Sequence, residues 1–234
     1  MENKNGQGIF LGVVGVATLV VAIIGATFAF FSAQAQSGDG DIAGNTLNVQ
    51  SIGLTLTVEK LAFNGTAANS NDLVPAVIGT SGTTSLQEAM TAKCEKGDYT
   101  GCHLYRITAT SSTAVSSAQL QLTLNADKLP AQWRYAIFEG TETNGSGTTL
   151  DGLTVGTVGT APTAFTGLDT TPATIYSGAV SATATIRYML IYVENENTTQ
   201  NDTSNATTDV TGTYSGTVSL NGAGAGQVVA TFTA

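Results

Sequence analysis

Histidine is nearly missing from this chain, His103 being the only one. A zinc protease sets two histidines on one helix face, as in His-Glu-x-x-His, and one histidine cannot build that site. No Gly-x-Ser-x-Gly elbow occurs, so a serine hydrolase would have to recruit His103 from beside Cys102. Cations are scarce as well: eight Lys and Arg stand against 17 Asp and Glu, a net charge of −9. Phosphate backbones are gripped by clustered Lys and Arg, so nucleic acid is not an expected partner. Charged residues make up only 11% of the chain, and Thr, Ser, Asn, Gly and Ala take their place. Thr on strand surfaces combines β-propensity with uncharged polarity, which suits an extracellular wall or matrix as well as any soluble sandwich.

Against this background one long apolar run stands out. Ile9–Phe31 is 23 residues without a charge, preceded by the short polar Met1–Gly8. As a helix it would span about 34 Å, against a hydrocarbon core of about 30 Å. That length predicts a retained transmembrane anchor. The small-x-small triplet Ala33-Gln34-Ala35 predicts instead a cleaved signal peptide, with Gln36 as the first mature residue. Both readings export the remainder of the chain. Lys4 is offset by Glu2, but Asp39 and Asp41 beyond the run favour an N-terminus kept inside. A pilin leader would carry Glu as the fifth residue after Gly8, where this chain has Val13, so a pilin-like subunit with an atypical leader is an alternative.

Residues 36–45 (QSGDGDIAGN) read as a flexible linker, and 46–234 as one extracellular domain. Ile52, Leu54, Leu56 and Val58 alternate with Gly53, Thr55, Thr57 and Glu59, which is a half-buried strand. Further strands are expected over 104–110, 118–125, 133–138, 153–158 (the weakest), 173–180, 184–194, 214–220 and 227–234. Of these, 184–194 is the most apolar and should be central, and Trp133 should anchor the core. The last two strands should form a hairpin across the six residues Asn221–Gly226. Ser85–Lys93 predicts one short helix, and 64–84 an irregular stretch. Eight or nine strands without βαβ alternation predict a mainly β, antiparallel sandwich or barrel behind one N-terminal hydrophobic helix. In an exported chain Cys94 and Cys102 predict a local disulfide.

Two motifs carry a family resemblance. Ala26-Thr27-Phe28-Ala29-Phe30-Phe31-Ser32 closes the apolar run, and Asn45-Thr46-Leu47 leads into the strand Leu54-Thr55-Leu56-Thr57-Val58. This resembles the TasA/camelysin group of exported bacterial proteins, whose signal segments are cut by a dedicated peptidase. The likeness covers about residues 10–60, and Ala33-Gln34-Ala35 departs from it where the family usually has an acid. It implies a jelly-roll-like sandwich and a surface or biofilm-matrix subunit that polymerises by passing an N-terminal strand to its neighbour. The donor would be Asp41–Val49 or the strand after it, the alternative being that this strand pairs within its own sandwich.

No enzyme activity, cofactor or metal is expected. The acid pairs Asp39/Asp41 and Glu194/Glu196 read as solvated loop carboxylates, with a weak Ca²⁺ site as the alternative. The function class is therefore a non-enzymatic, self-associating surface protein. The competing class is a membrane-anchored adhesin whose sandwich loops bind a glycan or a host partner. Asn64, Asn144, Asn197, Asn201 and Asn205 head Asn-x-Ser/Thr triplets, which arise readily by chance in such a composition.

Overall fold

Alternating apolar and β-branched residues build two facing sheets in a computed structural model of the chain. It describes residues 49–51, 53–65, 73–196, 200, 212–222 and 226–234. These lie within the second of two units, Ala43–Ala234. The apolar run Ile9–Phe31, the cleavage residues Ala33, Ala35 and Gln36, and the linker 36–45 lie outside the described residues.

The first sheet has the order β1 (Val49–Ser51), β2 (Leu54–Phe63), β5 (His103–Ser111), β10 (Thr185–Val193), β7 (Trp133–Ser146), β8 (Thr149–Ala164). The second has the order β12 (Gly226–Thr233), β11 (Tyr214–Gly222), β6 (Val115–Ala126), β9 (Ala173–Val180). Neighbours run antiparallel, with one exception. The end of β2 pairs in parallel with the start of β8 through Ala62–Thr149 and Phe63–Leu150, which curls the six-stranded sheet back on itself. A two-stranded ribbon, β3 (Glu95–Lys96) and β4 (Tyr99–Thr100), sits between the cysteines, and α1 covers Thr83–Thr91.

The period of two sends alternate side chains to opposite faces. Leu54, Leu56 and Val58 of β2, with Tyr105 and Ile107 of β5, turn toward Leu120, Leu122, Val218, Val228 and Phe232 of the other sheet. This is the sandwich core. Trp133 is buried in it, 5.2 Å from the Tyr214 ring. A second core forms on the outer face, where Leu61, Phe63, Leu104, Phe138 and Leu190 meet Leu86 and Met90 of α1 and both cysteines. β10 has apolar layers on both sides, so Tyr188 to Val193 are all buried. This is why it reads as an unbroken apolar strand.

Most expected strands fall within a few residues of their observed bounds. The weak 153–158 segment is instead the longest strand, 16 residues, because β7 and α1 support a sequence whose own pattern is diluted by Gly. β7 likewise runs on to Ser146, eight residues past its aromatic start at Trp133–Phe138. β11 and β12 stay paired to Gly222–Gly226, so their connection is shorter than the six residues expected. Within β11, a Cβ at Gly216 would run into the Phe232 ring, so close packing fixes glycine there.

Candidate functional site

The family resemblance points to the N-terminal edge of the domain. β1 is three residues long and pairs with β2 of its own domain through Val49–Leu56, Gln50–Thr55 and Ser51–Leu54. Just before Leu54, Gly53 has φ +82°, a left-handed value that disfavours residues with a Cβ. A Cβ there would also strike the Ser112 hydroxyl. β1 passes close to β12, the outer strand of the second sheet. β12 (GQVVATFT) carries no charge. The rest of the donor candidate, 41–48, lies outside the described residues.

The second region is built on the cysteines. Cys94 and Cys102 lie at disulfide distance, with Cα atoms 4.9 Å apart, and both are buried. α1 ends before them, two residues short of the expected Lys93. Lys93 and Cys94 turn left-handed at φ 54° and 57°, and Gly101 N–H donates back to the Cys94 carbonyl at 2.7 Å. The irregular stretch before α1 is tied down beside them. Val74 N–H donates to Thr100 O and Ala76 N–H to Val193 O, while Asn195 N–H donates to Ala76 O. The Tyr192 hydroxyl donates to Ile78 O at 3.2 Å, and burial together with the Glu194 charge lifts its pKa to about 12. A shallow groove of about 250 Å³ runs here between α1 and the ribbon. Val77 and Tyr99 beside it are 68% and 62% exposed.

The arginines are spent in ion pairs. Arg106 bonds Glu59 at 2.8 Å and Glu142 at 2.8 Å, and donates to Gly147 O. Tyr188 completes the group by donating to Glu142. Burial opposes the Arg106 charge, but hydrogen bonds to Glu59 and Glu142 outweigh it and raise the pKa further. Arg187 pairs with Glu139 and lies 4.8 Å over the Tyr176 ring, which ties β9 to the six-stranded sheet. Arg134 pairs with Glu194, and Glu196 accepts from Gln132. Glu194 is thus half-buried and paired within the fold rather than a solvated loop acid, because β7 runs alongside β10 and brings Arg134 across, whereas Glu196 stays exposed in the irregular chain after β10. Asp39 and Asp41 lie outside the described residues. Among the described residues no group of three or more His, Cys, Asp or Glu is arranged to hold a metal.

His103 is buried in the protein, and its Nδ1 meets the Tyr214 hydroxyl at 2.6 Å. That hydroxyl also meets Tyr105 Oη at 2.6 Å, and Tyr105 reaches Thr233 O at 3.3 Å. Burial pushes the Tyr105 phenol up to about 12 and Tyr214 well above its ordinary value. The chain His103–Tyr214–Tyr105 therefore joins the two sheets through hydrogen bonds at the core. Sequence reasoning missed this link and the Arg106 group. The one legible signal was a charged residue, Glu59 or Arg106, inside an otherwise apolar and Thr alternation.

No protein-family model matches the chain, and no curated protein matches it.

Proposed function

We propose that this chain is a non-enzymatic structural protein of the cell surface or biofilm matrix. It is exported behind the hydrophobic helix 9–31 and built as a jelly-roll-like sandwich. Its subunits join into fibres by N-terminal strand donation. The carrying observation is the β1 edge: three residues pair with β2 and pass close to β12, an uncharged outer strand of the facing sheet. Among the described residues β12 has β11 as its ladder partner, and an uncharged outer strand is a template for strand addition. The fibre has the β-rich, Thr-bearing surface that the composition supplies. If the N-terminal helix is retained, the same domain stays tethered to the membrane.

Electron microscopy of the secreted protein tests the reading. Regular fibres that vanish when Gln36–Val49 is deleted are the expected result, and persistent wild-type monomers overturn it. N-terminal sequencing of the mature protein separates a subunit beginning at Gln36 from a tethered domain.

A further inference from the structure

The outer edge of β8 is closed in an unusual way. Glycine-rich and β-branched, it carries no charge from Gly152 to Leu168. Such an edge invites pairing with another strand unless something blocks it. α1 lies along its first half, and the Gln87 side chain reaches its backbone. Val155 N–H donates to Gln87 Oε1 at 2.8 Å, and Gln87 Nε2 donates to Leu153 O at 3.4 Å. A strand residue in a parallel neighbour would bond the carbonyl before Thr154 and the amide after it in the same way. The Gln87 carboxamide therefore stands in for one residue of a neighbouring strand. It is steadied from its own helix, where Thr91 Oγ1 lies 3.4 Å from Nε2 and donates to Gln87 O at 2.8 Å.

Beyond Gln87 the edge is spoiled by other means. Register shifts break the β7–β8 ladder between Tyr135 and Gly140, and Pro162 removes a donor. The first half of β8, from Leu153 to Val155, pairs with β7 without a shift. There Gln87 is the side chain bonded to the edge.

We propose that the Gln87 carboxamide, carried on α1, is an edge guard that holds the strand-addition site of β8 closed against a second copy of this chain. The partner is a second copy because an uncharged edge fits another uncharged edge. Two β8 strands related by a two-fold axis pair antiparallel, with the same residues on each side. In such a pair the Leu153 carbonyl and Val155 amide of each copy bond the other backbone in place of Gln87. The guard confines self-association to other edges of the fold. It does not depend on the fibre reading, which uses β1, and its failure leaves that reading standing.

The test compares sedimentation of the secreted wild-type protein with Gln87→Met, which keeps the helix and the side-chain volume, and with Gln87→Ala. Either folded variant should self-associate at least about tenfold more tightly than wild type, as expected from freeing two backbone groups. Adding Thr154→Lys, which sets like charges across the symmetric pair, should return the variant to wild-type behaviour. In hydrogen exchange the Val155 amide should lose protection in dilute variant and regain it on association. Wild-type sedimentation in both variants overturns the proposal. So does association that Thr154→Lys leaves unchanged.

Discussion

The two apolar cores of this domain are made differently. The sandwich core is walled by two sheets, and strand alternation alone supplies its side chains from both. The outer core has a sheet on one side only. Its other wall is assembled from one helix of nine residues, a disulfide and an irregular segment held by backbone hydrogen bonds. Sheet against sheet needs only periodicity, whereas the outer core needs a staple. A nine-residue helix is too short to hold itself together in water. α1 also lacks a side-chain N-cap, so it depends on packing through Leu86 and Met90 and on the covalent link that follows it.

Truncation in the sandwich core should cost the domain most. Phe232→Ala empties a site packed against Tyr105 at 4.9 Å and should cost about 3–5 kcal/mol, seen as a lower urea midpoint of the whole domain. Met90→Ala in the outer core should cost less, about 2–3 kcal/mol, because a thin wall collapses more readily into the space. Hydrogen exchange should place its loss in α1 and the ribbon rather than in β6 or β11. Equal global losses for both variants would show that the two cores unfold as one.

Cys94→Ser with Cys102→Ser should cost somewhat less. Closing a ring of about nine residues is worth roughly 2.5 kcal/mol by loop entropy. The variant should stay folded in the sandwich while α1 and the 95–100 ribbon lose exchange protection.

The smallest effect is one of pH. The phenols of Tyr105 and Tyr214 are raised by burial, Tyr105 to about 12. Their contribution to stability is complete below the unfolded value of about 10 and falls as pH rises toward 12. Lys60 works in the other direction. Burial lowers it to about 8, so its penalty is present below 8 and relieved between 8 and the ordinary 10.5. Lys60→Met should therefore raise the melting temperature slightly at pH 7 and little at pH 10.5. Because this side chain is partly exposed, the gain should be no more than about 1 kcal/mol.

Much of the fold was legible because a strand buried on one face writes its period into the chain. Leu54 to Val58 and Leu120 to Leu124 are clear examples, and the fully apolar 188–193 marks a strand covered on both faces. Where support comes from a neighbour, the pattern fails. β8 holds Gly at 152, 156 and 159, and reads as weak although it is the longest strand. The ribbon between the cysteines has no apolar alternation at all, since its two short strands are held by the turn and the bridge.

The mainly β class, the order of the strands along the chain and the pairing of its only two cysteines can be read from the chain alone. Each of these follows from local periodicity or from the lack of any other candidate. Which strands are neighbours, that Glu194 answers Arg134, and that Gln87 bonds the β8 backbone emerge only on folding. Those contacts join residues about 60 to 70 positions apart. No local pattern encodes them, because they exist only once the sheets have chosen their partners.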